Sequence, residues 1–143
     1  MCQNNGSINY VKVAQFKIAK VTLGSDLKDA EKVFGKPDSI EAISDNKIDS
    51  MEEQLYYFNG IIALVANNKV SRLECTNPKY KTPQGIKVGD TIEKLFKTLG
   101  KSEIWNIKNR KSAQYALWPP CDTYMIFELD HGKISKIILD YMP

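Results

Sequence analysis

The residues that could perform acid–base chemistry are few and widely separated. His131 is the only histidine, and it lies in the sequence Asp130-His131-Gly132, which is typical of a tight turn. A nucleophilic site would need a base beside a serine or a cysteine. Neither Cys75 nor Cys121 lies near His131 in the sequence, so the sequence predicts no base-activated nucleophile.

The acidic residues form neither a catalytic pair nor a metal site. Glu52 and Glu53 are adjacent, and in a strand their side chains would point to opposite faces. Asp122 and Asp130 flank a predicted strand, whereas a calcium loop supplies several oxygen ligands at short spacing. We therefore expect no catalytic residue, no metal ion and no cofactor, and we expect that the protein is not an enzyme.

Aromatic residues on or beside predicted strands are the remaining candidates for function. Exposed aromatic side chains dominate the energetics of protein interfaces, although in a sheet such residues also serve as core. Trp118 precedes Pro119-Pro120, and two prolines would end a strand and leave the indole near an edge. The candidates for protein binding are Tyr56, Trp105, Tyr115, Trp118 and Tyr124.

The N-terminal residues suggest export. Cys2 is followed by the polar run Gln3-Asn4-Asn5-Gly6-Ser7, so residues 1–9 are predicted to be a flexible tether. This start resembles that of a mature bacterial lipoprotein with lipid attached to Cys2. It predicts a membrane-anchored lipoprotein of the cell envelope that faces the periplasm or the cell surface. The alternative is a cytosolic protein whose second residue happens to be cysteine.

Length and charge exclude several classes of protein. A chain of 143 residues fits one domain with one hydrophobic core. The 20 basic and 17 acidic residues give a net charge of +3, and the lysines are scattered, whereas nucleic-acid binding needs clustered cations. The longest apolar run, 61–66, is far shorter than the roughly 20 residues of a membrane-spanning helix. We expect no nucleic-acid partner and no membrane span.

Two segments of the chain resemble each other at a constant offset. Residues 23–36 lie over residues 88–101, so that Gly24 matches Gly89 and Gly35 matches Gly100. Each segment has apolar residues at helical spacing and ends on a glycine. Ser25 and Asp90 are predicted to cap the two helices.

Runs of strand-forming residues follow each predicted helix and are separated by turn sequences. The clearest predicted strands are 52–58, 61–66, 70–75, 113–118, 124–129 and 134–139. This order predicts an α+β fold of two tandem helix–β-meander repeats, which form one antiparallel sheet with two short helices packed on one face. The whole of residues 10–143 would be one domain, with repeats at about 10–80 and 81–143.

The phrase Gly85-Ile86-Lys87-Val88-Gly89-Asp90-Thr91-Ile92-Glu93-Lys94-Leu95, closed by Leu99-Gly100, resembles the repeat of the β-lactamase-inhibitor-like superfamily. That group includes the small lipoprotein of the outer-membrane barrel-assembly machinery and many uncharacterised bacterial lipoproteins. The resemblance implies a small exported binding or scaffolding protein without a cofactor. The chain lacks the two disulfides within the repeats of the secreted inhibitor type.

These observations predict a non-catalytic exported lipoprotein that binds or scaffolds another envelope protein through the open face or an edge of its sheet. One alternative is a protein inhibitor of an enzyme, which would insert a loop such as 44–50 or 106–112 into a cleft. A second alternative is a small hydrolase or ligand-binding protein, which would require an enclosed pocket with convergent polar groups. An exposed aromatic patch without a deep polar pocket would favour the first.

Overall fold

The computed structural model of the protein describes residues 9–43, 53–118 and 122–141. Cys2, Glu52, Cys121 and the predicted inhibitory loop 44–50 lie outside the described residues, as do Pro119 and Pro120.

Short helices and longer strands alternate along the chain. A one-turn 3-10 helix occupies Val13–Gln15. The other elements are β1 (Asn9–Val11), α1 (Leu27–Phe34), β2 (Ser39–Ala42), β3 (Glu53–Phe58), β4 (Ile61–Ala66), β5 (Lys69–Cys75), α2 (Ile92–Leu99), β6 (Ile104–Ile107), β7 (Arg110–Leu117), β8 (Thr123–Asp130) and β9 (Lys133–Tyr141).

All nine strands belong to one sheet. Its order is β1-β7-β8-β9-β5-β4-β3-β2, and β6 also pairs with β7. The outer edge of β7 is shared, because β6 pairs with residues 110–113 and β1 pairs with residues 115–117. The β1–β7 pairing is parallel and the others are antiparallel, so the sheet is mixed.

Tight turns connect the hairpins. The turns at 67–68, 108–109 and 131–132 have positive φ at both residues, the backbone form that matches the twist of antiparallel strands. Asparagine and glycine tolerate this conformation well. His131 therefore lies in a hairpin turn, as its sequence context predicts.

One face of the sheet forms the hydrophobic core. In β4, for example, Ile61, Ala63 and Val65 are buried, while the alternate residues are partly exposed. The core face is covered by Ala30, Phe34 and Leu95 from the helices and by Phe16, Ile18, Val21 and Ile86 from irregular segments.

The predicted fold class is wrong. The protein is mostly β, with a nine-stranded mixed sheet and two short helices, and not two helix–meander repeats with helices packed on a face. Each helix has eight residues and is about 12 Å long, whereas the eight strand positions across the sheet span roughly 34 Å. Irregular segments must therefore cover much of the core face, and the parallel strand β1 has no counterpart in the predicted repeat.

The starts of the two helices explain why residues 23–36 and 88–101 resemble each other. The backbone N–H groups of Gly24 and Gly89 donate to carbonyl groups at the β4–β5 and β8–β9 hairpins, 2.7 Å to Val70 and 2.8 Å to Ile134. Glycine at both positions has positive φ. The shared motif thus encodes a local turn that is hydrogen-bonded to a hairpin.

The predicted helix caps lie one residue too early. The N-cap residues are Asp26 and Thr91. The Ser25 hydroxyl accepts a hydrogen bond from the Thr22 N–H at 3.0 Å, and the Asp90 carboxylate accepts one from the Lys87 N–H at 2.9 Å. Both side chains stabilise the turn before the helix. Their positions in the sequence fit this role and the role of an N-cap equally well.

Candidate protein-binding face

The sheet surface opposite the core is the largest candidate site, and we call it the open face. Side chains on this face follow the cross-strand register, as in the row that joins Ile62, Glu74, Ile138, Ile126 and Gln114. Most of these side chains are partly exposed. This row crosses five strands, and within it Ile138 and Gln114 are the buried members.

Ion pairs cross the middle of the open face. The Arg72 guanidinium donates through Nε to Asp140 Oδ2 at 2.8 Å and also contacts Glu74. The Lys136 ammonium lies 3.3 Å from the other oxygen of Glu74. Since these four side chains are only 15–34% exposed, their charges attract each other more strongly than fully hydrated pairs do.

A groove of about 600 Å³ runs across β5, β9, β8 and β7 on this face. This volume lies within the usual range of ligand sites. Its floor is formed by residues that are buried or partly buried although they lie on the open face: Ser112, Gln114, Ile126 and Ile138. The Gln114 amide donates to the Ser112 hydroxyl at 3.3 Å.

The rim of the groove is charged. Its residues are Arg72, Asp140, Glu128, Arg110 and Lys108. The Arg110 guanidinium lies 3.9 Å from a Glu128 carboxylate oxygen, and its side chain is 71% exposed. Long charged side chains therefore surround a floor that contains both aliphatic side chains and an amide side chain.

Three of the five predicted aromatic residues lie on or beside the open face. Trp105 is paired with Ser112, and Tyr124 is paired with Ala116. Trp118 is 51% exposed and packs edge-on against Tyr10, with 5.0 Å between ring centroids. These aromatic rings form one margin of the open face, and the sequence did not single out Tyr10.

The other two predicted aromatic residues belong to the core. Tyr115 is fully buried and Tyr56 is 9% exposed. The Tyr115 hydroxyl donates to the Gly100 carbonyl at 2.7 Å, and burial raises the pKa of Tyr115. Along their strands both residues alternate with open-face residues. This alternation does not indicate which side of the sheet is covered by the rest of the protein.

The charged residues of the open face were missed by sequence reasoning. Arg72 and Asp140 lie far apart in sequence and meet only because β5 pairs with β9. A partial signal was present, since Arg72 and Glu74 alternate with buried Leu73 and Cys75 within a predicted strand. Their partners could not be deduced without the strand order.

The reactive groups are poorly placed for chemistry. His131 Nδ1 lies 2.9 Å from Asp130 Oδ1 in an exposed turn. Cys75 is buried and free, its thiol donates to the Asn77 carbonyl at 3.3 Å, and burial raises its pKa. Within residues 9–43, 53–118 and 122–141, no group of three or more His, Cys, Asp or Glu side chains could hold a metal ion.

Comparisons with known sequences identify no relative. No protein-family model matches the chain, and no curated protein matches it.

Comparisons with solved structures identify the fold. The chain superposes on an extracellular protein containing an SCP domain from Bacillus anthracis with a TM-score of 0.58 and 15% identity, over 99% of this chain and 48% of the other. It superposes on a cysteine-rich secretory protein from Staphylococcus aureus with a TM-score of 0.55 and 12% identity, over 93% of this chain and 51% of the other. It superposes on the uncharacterised protein YfeY from Escherichia coli with a TM-score of 0.54 and 11% identity, over 92% of this chain and 99% of the other.

The chain thus spans about half the length of the first two structures and nearly the whole of YfeY. The same fold therefore occurs both as part of a longer protein and as a whole chain. At these identities the likeness concerns the fold alone.

The structural neighbours correct the predicted family. They are SCP-domain or cysteine-rich secretory proteins and YfeY, so the predicted membership of the β-lactamase-inhibitor-like superfamily is wrong. The motif at residues 85–100 led to this wrong prediction because it encodes a local turn–helix–turn, which different folds can share. The lipoprotein class inferred with that family is likewise not supported by these neighbours, and Cys2, on which it rested, lies outside the described residues. Among the described residues, no helix is long and apolar enough to cross a membrane.

Proposed function

We propose that the protein is a non-catalytic binding module that holds another protein on the open face of its sheet. The observation that carries this proposal is the groove of about 600 Å³ with a partly apolar floor and a charged rim. The same face also carries the paired rings of Tyr10 and Trp118 near its edge. Interfaces commonly combine apolar centres with polar rims and aromatic anchors. The positions of His131 and Cys75 support a non-catalytic role.

The alternative functions have weaker support. The second predicted inhibitory loop, 106–112, forms the ends of β6 and β7 around a two-residue turn, so it does not protrude as a flexible loop. A ligand carrier would enclose its ligand, whereas the groove is open along one side of the sheet.

We also propose that the protein is exported. The support is the B. anthracis neighbour, which is described as an extracellular protein. Fractionation of the cells that produce the full-length protein tests this, because recovery only from the cytoplasm would contradict export.

Site-specific photocrosslinking tests the binding role. A photoreactive phenylalanine analogue at Ile62, on the open face, is expected to trap one partner of defined mass in cells that produce the protein. The control position is Lys32 on α1, whose side chain is 80% exposed. Adducts at both positions, or at neither, would show that the open face is not a specific binding surface.

A further inference from the structure

We propose that the groove on the open face binds an acidic segment of the partner protein, in which a carboxylate side chain and an aliphatic side chain are two residues apart. This inference rests on the proposed binding function and specifies the chemistry of the partner. It follows from a comparison of the charged side chains that already have partners within the protein with those that can still bind a ligand.

The floor of the groove accepts an aliphatic side chain. Ile138 lies on the open face and lines the groove, yet it is only 4% exposed. Ile126 lies beside it across the β8–β9 ladder. Ile126 is partly exposed, so an aliphatic side chain that covers it would remove apolar surface from water, which favours binding.

The carboxylates of the open face are already engaged. Asp140 accepts the 2.8 Å hydrogen bond from Arg72, and Glu74 contacts Arg72 and Lys136. Glu128 lies 3.9 Å from Arg110. A cationic ligand would have to compete with these intramolecular partners.

The cations at the β6–β7 end of the groove retain binding capacity. A guanidinium has five N–H donors. Within residues 9–43, 53–118 and 122–141, the 71% exposed Arg110 has one ion pair, with Glu128 at 3.9 Å. Lys108, in the adjoining turn, forms no ion pair with any residue in the described parts of the chain. The uncompensated charge at this end is therefore positive, and it complements a carboxylate.

The groove thus presents two features side by side. Ile126 and Ile138 form the apolar part of the floor, and Lys108 and Arg110 form the cationic end. An extended peptide points successive side chains to opposite faces, so an acidic and an aliphatic side chain two residues apart lie on the same face, roughly 6.6 Å from each other, and can reach both features. The Gln114 amide on the floor adds polar groups that can bind a peptide backbone.

Peptide binding to the purified full-length chain tests the inference. The probe is a short fluorescent peptide with the repeat Asp-Ser-Leu-Ser, which places Asp and Leu on the same face of an extended chain and is called the Asp–Leu peptide. It is compared by fluorescence anisotropy, at low and physiological salt, with its Asn–Leu and Lys–Leu counterparts, in which Asn or Lys replaces Asp. The Asp–Leu peptide is expected to bind most tightly, with an affinity that falls as salt rises.

A matched pair of double variants locates the binding site. The K108Q/R110Q variant removes the cationic end and is expected to weaken binding of the Asp–Leu peptide about tenfold. The control K97Q/K111Q removes the same charge elsewhere. Lys111 adjoins Arg110 in β7 but is paired with Leu129 on the core side of the sheet, so we expect less than about a twofold change. Thermal unfolding of both variants verifies that they remain folded.

Three outcomes would overturn the inference. The Asn–Leu or Lys–Leu peptide could bind as tightly as the Asp–Leu peptide, both double variants could lose the same affinity, or free succinate could displace the peptide at equal concentration. The last would identify a small-acid site. If photocrosslinking at Ile62 still traps a partner, then only the acidic chemistry fails and the binding function stands.

Discussion

At the scale of single residues, two buried polar side chains near α2 are hydrogen-bonded to neighbouring groups. The Tyr115 hydroxyl reaches the Gly100 carbonyl at the end of α2, and the Asp90 carboxylate receives the Lys87 and Lys94 ammonium groups at 2.8 and 3.1 Å. Each of these contacts joins an irregular segment or helix end to the rest of the fold. Their loss should therefore be measurable as a loss of stability.

The substitution Tyr115→Phe tests the first contact. It leaves the Gly100 carbonyl without this donor, so we expect the free energy of unfolding to fall by about 1–2 kcal/mol. Urea denaturation measures the change. Tyr124→Phe on the open face is the control and is expected to change stability by less than about 0.5 kcal/mol. Equal losses in the two variants would contradict a specific role for the buried hydrogen bond.

The Asp90 carboxylate should make stability depend on pH. Burial alone would raise its pKa, but hydrogen bonds from the Lys87 ammonium, the Lys87 N–H and the Lys94 ammonium outweigh it and lower the pKa below 3.8. A lowered pKa in the folded state stabilises the protein at neutral pH, and this contribution is lost as pH falls through the lowered pKa. The difference in unfolding free energy between wild type and Asp90→Asn is therefore expected to shrink below about pH 4.

Urea unfolding at several pH values measures this difference. The control is Asp29→Asn, because Asp29 is an exposed carboxylate 3.9 Å from Lys32 on α1. A wild-type–Asp90→Asn difference that stays constant as pH falls would show that the Asp90 carboxylate is not coupled to folding.

At the scale of elements, the two helices begin differently although their sequences resemble each other. The Thr91 hydroxyl accepts a hydrogen bond from the Lys94 N–H at 3.2 Å. Asp26 makes no such cap bond with α1, and its carboxylate instead accepts a hydrogen bond from the Lys69 ammonium at 2.6 Å. The cap thus stabilises α2, whereas at α1 the N-cap side chain ties the helix to the β4–β5 hairpin.

This difference predicts unequal effects of alanine at the two N-cap positions. Thr91→Ala removes a cap hydrogen bond and is expected to cost about 1 kcal/mol of unfolding free energy. Asp26→Ala removes an exposed ion pair and is expected to cost less. Chemical denaturation compares the two variants, and a larger loss for Asp26→Ala would reverse the assignment of the cap.

At the scale of the whole molecule, the β5–β9 pairing joins the two halves of the sheet. Its ladder spans Leu73–Cys75 and Ile137–Leu139 and is shorter than the β8–β9 ladder, which extends along all of β8. The ion pair between Arg72 and Asp140 lies beside this short ladder. Side chains on the open face therefore reinforce the short ladder that joins the two halves of the sheet.

Arg72→Ala is expected to weaken this connection. It leaves Asp140 and Glu74, which are 28% and 15% exposed, without their arginine partner, and should cost about 1–2 kcal/mol. The control Arg110→Ala removes an arginine that lies on a more exposed part of the same face, and should cost less than about 0.5 kcal/mol. Hydrogen exchange of the β5 and β9 amides, measured with the unfolding free energy, separates a local effect at this ladder from general destabilisation.

The sequence predicted local elements better than their arrangement. The turn sequences and apolar periodicities placed both helices and the main hairpin strands, and β3 to β5 were found at nearly their predicted bounds. Ser25 and Asp90 were misplaced as caps because a hydroxyl or carboxylate can accept equally well from a preceding turn. Of the candidate site, Trp105, Trp118 and Tyr124 could be proposed from their residue types, whereas the groove could not.

By itself, the sequence determined where helices, strands and hairpin turns form, because those features depend on residues a few positions apart. Only the tertiary structure decided that β1 runs parallel to β7, that β5 pairs with β9, and that irregular segments cover the core face. It also decided that Tyr115 is core while Tyr124 lies on the open face. Strand order and the covered side of a sheet depend on contacts between residues distant in sequence, and a period of two fits either side equally well.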